Sequence, residues 1–321
     1  MPDCPFTIGF DAPDAALADD VLLRLTCGPG TRATDDPRDV RVPLDAIGAP
    51  VAEVWRSRHP VEHGTCDGFG YAHDGQVLLG SLHVPAADLH EMERTTRRAY
   101  VRIEILLRKL GYPHWLRMWN YIEDIRLGAG DDERYRQFAL GRFHALQHKP
   151  GFEDDLPAAT AIGSRDGGML IFFLASRTPG RQIENRRQVS AFRYPRDYGP
   201  RAPSFSRALL KPWDDRFQLY VSGTASIVGH ESRHPGDPVA QLEEVHRNIQ
   251  ALLEHASERA PGRRFRAEAH KLYLQVPEAA EAVTARARAL FGADAPMLVL
   301  EGQICRADLL LEVEGVYVAD A

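Results

Sequence analysis

The last strand-like segment of the chain carries two carboxylates at a spacing that permits acid–base chemistry. Glu312 and Glu314 lie two residues apart in the apolar run LLLEVEGVYV, residues 309–318. Successive side chains of a β-strand alternate between two faces, so both carboxylates point to the same face. A buried carboxyl group can donate a proton to a substrate, whereas acids on a solvent-facing strand need no function. The pattern by itself is compatible with both interpretations.

A second candidate feature is a cluster of small residues, SGTAS at 222–226, at the end of an earlier predicted strand. Small side chains at a strand end leave room for a ligand. They also permit a helix to pack tightly against the sheet. The sequence favours neither explanation.

An arginine- and tyrosine-rich segment occupies residues 177–213. A solvated linker, a nucleic-acid-binding segment and a site for a small polycarboxylate all fit this composition. The formal net charge of −6 weakens the nucleic-acid interpretation. The linker and the carboxylate site keep equal weight, since arginine binds carboxylates bidentately and aromatic rings can cover a substrate ring.

The run HESRH at 230–234 matches the zinc-protease motif H-E-x-x-H. That motif binds zinc only when both histidines lie on one face of a helix. Gly229 precedes the run and Pro235 follows it, and the predicted helix begins only at Asp237. We therefore predict a polar loop here and no metal site.

Composition indicates a globular cytoplasmic enzyme or binding protein. The chain has 321 residues, of which 44% are hydrophobic and 26% charged. No apolar stretch approaches the roughly 18 residues of a membrane span, and the acidic N-terminus is not typical of a signal peptide. The four cysteines form no CxxC pair, so neither a disulfide framework nor a zinc knuckle is expected. We expect neither a nucleic-acid nor a membrane partner.

The predicted elements recur in the same order in two halves of the chain. Each half contains a strand, a helix, a strand, a helix and a final strand pair, with a period of roughly 140 residues. We predict an irregular lead-in at 1–75, a first module at 76–176, a connecting segment at 177–213 and a second module at 214–321. Aligning Pro157 with Pro296 places Phe173 opposite Glu312, so only the second copy is expected to carry an active-site acid.

Four segments resemble a known family, the chorismatases: YRQFALGR, AFRYPRDYGP, SGTASIVGHES and ICRADLLLEVE. These enzymes release pyruvate from chorismate and are built on modules of the YjgF/RidA type. The resemblance covers roughly residues 75–318. It implies an α+β fold of tandem YjgF/chorismate-mutase-like modules, with mixed β-sheets packed against helices.

The resemblance also implies catalytic roles. Glu312 corresponds to the acid that protonates the enolpyruvyl methylene of chorismate. Cys305, together with Gly223 in place of alanine, is similar to members that form 3-hydroxybenzoate and pyruvate. Cys305 is otherwise an inert buried thiol. No organic cofactor or metal is implied.

Substrate-binding residues follow from the same resemblance. Arg142, Arg193 and Tyr194 are candidates for contacts with the carboxylates and the ring of chorismate. Gln188 falls at a position that distinguishes the subtypes.

Several alternatives remain at this stage. Within the family they are hydrolysis of chorismate to a dihydroxycyclohexadiene carboxylate and mixed formation of 3- and 4-hydroxybenzoate. Outside it they are an imine hydrolase of the RidA type and a small-molecule binder without activity. The assembly is expected to be a monomer or a trimer-like arrangement.

Overall fold

The N-terminal part of the chain forms a four-stranded sheet of its own. The computed structural model describes residues 2–29 and 35–320. The sheet has the order β1-β4-β2-β3. Its strands are β1 (Phe6–Asp11), β2 (Val21–Cys27), β3 (Asp39–Val42) and β4 (Ala52–Ser57).

The first module is a six-stranded sheet covered by two helices. Its order is β5-β6-β7-β10-β8-β9, with β8 and β9 parallel and the other neighbours antiparallel. The elements are β5 (Glu62–Cys66), β6 (Phe69–His73), β7 (Val77–Val84), α1 (Met92–Leu110), β8 (His114–Glu123), α2 (Arg134–Leu146), β9 (Ala158–Ser164) and β10 (Met169–Ser176). Two strands of the predicted lead-in, β5 and β6, thus join this sheet.

The second module repeats the arrangement, with sheet order β11-β12-β13-β18-β16-β17 and one parallel pair, β16 with β17. The connecting segment contributes β11 and β12, the two strands at one edge of this sheet. The elements are β11 (Arg181–Ile183), β12 (Ala208–Pro212), β13 (Arg216–Ala225), β14 (Ile227–Val228), β15 (Glu231–Ser232), α3 (Pro238–Arg259), β16 (Arg266–Leu274), α4 (Ala280–Phe291), β17 (Met297–Glu301) and β18 (Leu311–Asp320). β18 and β10 occupy the same place in their sheets.

Helix α3 begins as its sequence predicts. The Asp237 carboxylate accepts a hydrogen bond from the Ala240 N–H at 3.0 Å, and Pro238 occupies the first helical turn. Such a cap satisfies a backbone donor that has no partner within the helix. None of the helices in the described ranges has the length and apolar character needed to span a membrane.

The three large sheets share one central core, and the helices cover the outer faces of the two modules. Trp55 from the N-terminal sheet meets Trp119 of β8 edge-to-face at 6.0 Å, and Trp119 stacks on Phe172 of β10 at 4.3 Å. On β18, Val313 packs towards α3 and α4 in the second module's own core. Because side chains alternate along a strand, Glu312 and Glu314 point the other way, towards the first module and the N-terminal sheet.

The predicted match between Phe173 and Glu312 is wrong in register. Phe173 belongs to the core under the helices of the first module, whereas its neighbour Phe172 belongs to the central core that Glu312 faces. The connection between the last two strands spans residues 302–310 in the second module but only 165–168 in the first, so a constant offset does not preserve the face. The expectation of a single acid survives, because β10 reads MLIFFLAS and contains none.

Candidate active site between the two modules

Glu312 is buried on the inner face of β18, with its carboxyl group lying directly over the backbone of β13. It is paired with Tyr273 of β16 on one side and Ala225 of β13 on the other. A Cβ atom built at Gly223 would lie 1.7 Å from Glu312 Oε1. The pairing of β13 with β18 is interrupted at this point, between Val221 and Thr224. The space at Gly223 is thus occupied by the Glu312 carboxyl group of the chain itself, which neither of the two explanations for the small residues had anticipated.

The environment of Glu312 favours its protonated form. Burial raises the pKa of its carboxyl group from 4.5 to about 8, and the neighbouring charge of Glu314 acts in the same direction. Arg117 and Arg207 oppose the shift without cancelling it. No hydrogen bond from the described residues contributes to its pKa. A carboxylic acid that is neutral at pH 7 and close to a cavity can serve as a general acid.

Glu314, two residues further along, is held in the opposite protonation state, as a carboxylate. Its carboxylate accepts hydrogen bonds from Arg117 Nη2 at 2.7 Å, Trp119 Nε1 at 2.6 Å and Lys271 Nζ at 3.3 Å, and from the Thr160 hydroxyl. Burial alone would raise its pKa, but the two cations and the hydrogen bonds lower it below the usual value. One strand face thus presents a neutral acid beside a fixed anion.

A cavity of about 630 Å³ lies between the two modules in front of Glu312. Its size falls within the usual range for small-molecule sites. The lining residues with polar or reactive groups include Tyr135, Arg142, Thr160, Tyr194, Ser204, Arg207, Cys305, Arg306 and Glu312.

Arg142 presents unused hydrogen-bond donors in this cavity. It projects from α2 over the Tyr100 ring at 5.0 Å and is 3% exposed. Its Nε and Nη2 atoms are buried without a hydrogen-bond partner, and burial lowers the pKa of the guanidinium below its usual value. An unpaired buried cation is costly, so the arrangement fits an anionic ligand group. Arg136 on the same helix is buried less deeply, since its side chain is 27% exposed.

Two further arginines lie on the connecting segment and next to Cys305. Arg207 Nη2 donates to the Tyr194 hydroxyl at 2.6 Å, while its Nε is buried and unpartnered. The Arg306 guanidinium lies 3.9 Å from the centre of the Tyr198 ring. The segment that the sequence left open between linker and ligand site therefore supplies Arg207 and the Tyr194 and Tyr198 rings to the cavity, and Arg306 joins them from outside it.

The structure brings five of the seven predicted site residues together. Arg142, Tyr194, Gly223, Cys305 and Glu312 all line the cavity. Burial raises the pKa of the Cys305 thiol to about 12, so it is neutral.

The structure does not place Arg193 and Gln188 in the cavity wall. Arg193 ends a short helical turn that buries Ala191, and its own side chain is exposed beside Phe192 at 5.6 Å. Gln188 Nε2 donates to the Ile227 carbonyl at 3.0 Å. Arg207 and Arg306 take the place expected for Arg193, and the sequence signal for Arg306 was its position next to Cys305.

The H-E-x-x-H run does not form a helix. Glu231 and Ser232 form a two-residue strand, and His234 has a positive φ of 55°. In the part of the chain that the structure describes, no group of three His, Cys, Asp or Glu side chains is arranged to hold a metal ion. His230 Nδ1 instead lies 3.2 Å from the Tyr198 hydroxyl.

Fold and cavity together define a two-module α+β protein with a buried acid between its modules. The family model for the N-terminal part of FkbO/Hyg5-like chorismatases matches residues 53–175. A 3-hydroxybenzoate synthase from Streptomyces hygroscopicus is 41% identical over 281 residues, covering 83% of this chain and 81% of that protein. A chorismatase from Streptomyces rapamycinicus is 38% identical over 274 residues, again 83% and 81% of the two chains.

The solved structures give the same result. A crystal structure of a chorismatase matches with a TM-score of 0.88 and 29% identity, covering 98% of this chain and 99% of that chain. The chain belongs to the chorismatase family. The expected family and the expected α+β fold of tandem modules are thereby confirmed.

Proposed function

We propose that this protein converts chorismate to 3-hydroxybenzoate and pyruvate, with Glu312 as the proton donor. The observation that carries the proposal is a carboxyl group buried beside an arginine-lined cavity and neutral near pH 7. The similarity to a 3-hydroxybenzoate synthase supports the choice of product.

The cavity suits the chemical form of chorismate, which has a ring, two carboxylates and an enol ether. Arg142, with two unpartnered nitrogens, and Arg207, with one, are our candidates to bind the two carboxylates. Tyr194 is positioned by its hydrogen bond to Arg207 and offers a ring face to the substrate. Arginine is suited to this task because its donors match a carboxylate in pairs.

The reaction begins with transfer of the Glu312 proton to the methylene carbon of the enolpyruvyl group. This forms a methyl group and an oxocarbenium-like carbon, while Glu312 becomes a carboxylate. The neighbouring ring hydroxyl oxygen then attacks the ring carbon that carries the ether and displaces the ether oxygen, and the electrons of that C–O bond form the carbonyl of pyruvate. The attacking oxygen now bridges two ring carbons. Its bond to its original carbon breaks, and loss of the proton from the attacked carbon to the Glu312 carboxylate restores aromaticity and gives 3-hydroxybenzoate. Protons given and released balance, and no water is consumed.

Glu314 explains why the site tolerates positive charge on the side chain of the substrate. After the proton transfer, Glu312 and Glu314 are both carboxylates, and both lie on the inner face of β18. Negative charge beside a developing cation lowers the barrier in a water-poor site. We assign Gly223 and Cys305 to shaping the wall, so that bulk water does not intercept the cation and give the hydrolysis product.

The product mixture tests the proposal. Purified protein is incubated with chorismate in ¹⁸O-water, and the products are separated and weighed by mass spectrometry. We expect 3-hydroxybenzoate and pyruvate in equal amounts, with no solvent oxygen in the aromatic product. Formation of a dihydroxycyclohexadiene carboxylate would show hydrolysis instead, and a substantial share of 4-hydroxybenzoate would show a mixed route. Binding of chorismate without turnover would contradict the assigned activity.

We further propose a cytoplasmic location, where chorismate is available, and either a monomer or a trimer-like assembly. The alternative of a trimer-like assembly is tested by light scattering of the purified protein.

A further inference from the structure

Glu314 belongs to a group of four buried charged side chains that do not line the cavity. Glu53, Arg117, Lys271 and Glu314 are between 1% and 4% exposed. They come from β4, β8, β16 and β18, so each of the three large sheets supplies at least one. Two anions and two cations make the group neutral as a whole.

Contacts run through this charged group in an unbroken chain. Lys271 Nζ lies 2.9 Å from Glu53 Oε2 and 3.3 Å from Glu314 Oε1, and Arg117 Nη2 lies 2.7 Å from Glu314 Oε2. Trp55 Nε1 donates to Glu53 Oε1 at 2.8 Å, which fixes that carboxylate from within its own strand. Removing one member of such a group leaves an uncompensated buried charge.

Thr160 connects the charged group to the site. Its hydroxyl oxygen accepts from the Gly223 N–H at 3.0 Å and from Arg117 Nη2. With both lone pairs so used, its single proton goes to Glu314. The Thr160 hydroxyl, which lies near both acids, therefore has no proton left for Glu312.

We propose that Glu53 and Lys271 are positioning residues that hold Glu314 as a permanent anion, and that this anion keeps Glu312 protonated between turnovers. The proposal rests on Glu312 as the proton donor. It gives the N-terminal sheet a function, because Glu53 is its contribution to the reaction. Glu53 and Lys271 touch no substrate and act only through Glu314.

The charges around Glu312 set the direction of each expected effect. Glu314 opposes its ionisation and Arg117 and Arg207 favour it, while Cys305 and Tyr135 from the opposite wall are neutral at pH 7. Replacing an anion of the charged group with a neutral residue leaves an excess positive charge. That excess stabilises the Glu312 carboxylate, so activity is lost at a lower pH.

The test is the pH dependence of kcat for chorismate in Glu314→Gln, Glu53→Gln and the double variant Glu53→Gln/Lys271→Met. We expect the pH at which activity falls to move down by about one unit or more in Glu314→Gln and by about half a unit in Glu53→Gln. The double variant restores neutrality and should return the profile towards that of the unchanged protein. Asp39→Asn, which removes a carboxylate paired with Arg24 elsewhere in the N-terminal sheet, should leave the profile unmoved.

A purely structural role predicts a different set of results. Activity and melting temperature would then fall in all variants of the charged group, the double variant would be the worst, and the profile would stay in place. That result would overturn the inference while leaving Glu312 as the donor. If instead Glu312→Gln retained full turnover, the proposed function itself would fail.

Discussion

The central strands of the two modules occupy equivalent places and perform different tasks. β10 reads MLIFFLAS and is wholly apolar, whereas β18 reads LEVEGVYVAD and places two carboxylates in the interior. Each strand also has one side chain that lies over a glycine of the neighbouring strand: Phe173 over Gly80, and Glu312 over Gly223. In the first module this contact fills a core, and in the second it seats an acid.

The comparison shows how a repeated fold can hold one site. The first module contributes cavity walls and charge partners, such as Arg142, Thr160 and Arg117, while the second contributes the acid. A buried carboxyl group costs stability, so a second copy on β10 would add that cost without adding a reaction.

Removal of the acid should have the largest effect. Replacing Glu312 with glutamine keeps the shape of the side chain but removes the proton that is donated. We expect kcat with chorismate to fall by about 10²–10⁴-fold, the usual contribution of a general acid. The measurement is the initial rate of chorismate loss at pH 7, with the circular dichroism spectrum as a control for folding.

Substitution of Gly223, which lies against Glu312, can be compared with substitution of Gly80, which lies against Phe173. In Gly223→Ala the new methyl group would overlap Glu312 Oε1, so the acid must move. We expect a loss of at least about tenfold in kcat/KM, since small displacements of catalytic groups are costly.

The matched control for that change is Gly80→Ala. Its Cβ would lie 2.6 Å from the Phe173 ring, which is a core contact. Overpacking there should lower the free energy of unfolding by about 1–3 kcal/mol and leave the turnover of folded protein unchanged. Equal losses of turnover in the two variants would remove the distinction between the strands.

Much of this fold follows from sequence periodicity, but the register does not. The order of helices and strands in both halves was predictable, because apolar residues recur with a different period in a helix than in a strand. Which face Phe173 occupies was not, because the connection before the last strand differs in length between the modules, residues 165–168 against 302–310.

The residues of the candidate site were likewise only partly predictable from the sequence. Glu312 and Arg142 lie in recognisable segments, whereas the choice between Arg193 and Arg207 depends on how an irregular segment turns. The short turn at Ala191–Arg193 directs Arg193 outwards. The role of Glu53 had no signal at all, since its partner Lys271 lies 218 residues away.

Glu312 should also reduce stability over a defined pH range. Its folded-state pKa of about 8 lies above the ordinary value of 4.5, so the unfolded chain ionises first as pH rises. Stability contributed by the neutral form is complete below about pH 4.5 and is lost up to about pH 8. Glu312→Gln should therefore be more stable than the unchanged protein at pH 7, by about 1–3 kcal/mol.

Denaturant titration at two pH values checks this prediction. The advantage of Glu312→Gln should shrink when the pH is lowered from 7 to 4.5. A variant that is less stable than the unchanged protein at pH 7 would contradict the account of a destabilised, functional acid.

The smallest expected effect concerns the wall beside the acid. Cys305→Ala opens space near Glu312 while leaving the acid in place. We expect turnover to fall by less than about tenfold and the share of hydrolysis product to increase, because water gains access. Chromatography of the products measures the ratio, and an unchanged ratio would remove Cys305 from the control of product choice.

The protonation state of Glu312 is the central claim, and infrared difference spectroscopy measures it without turnover. The spectrum of the unchanged protein minus that of Glu312→Gln isolates the carbonyl stretch of the protonated carboxyl group. We predict that this band is present at pH 7 and disappears as the pH rises through about 8. If Glu312 gave only carboxylate bands at pH 7, it could not serve as the proton donor, and the account would be contradicted.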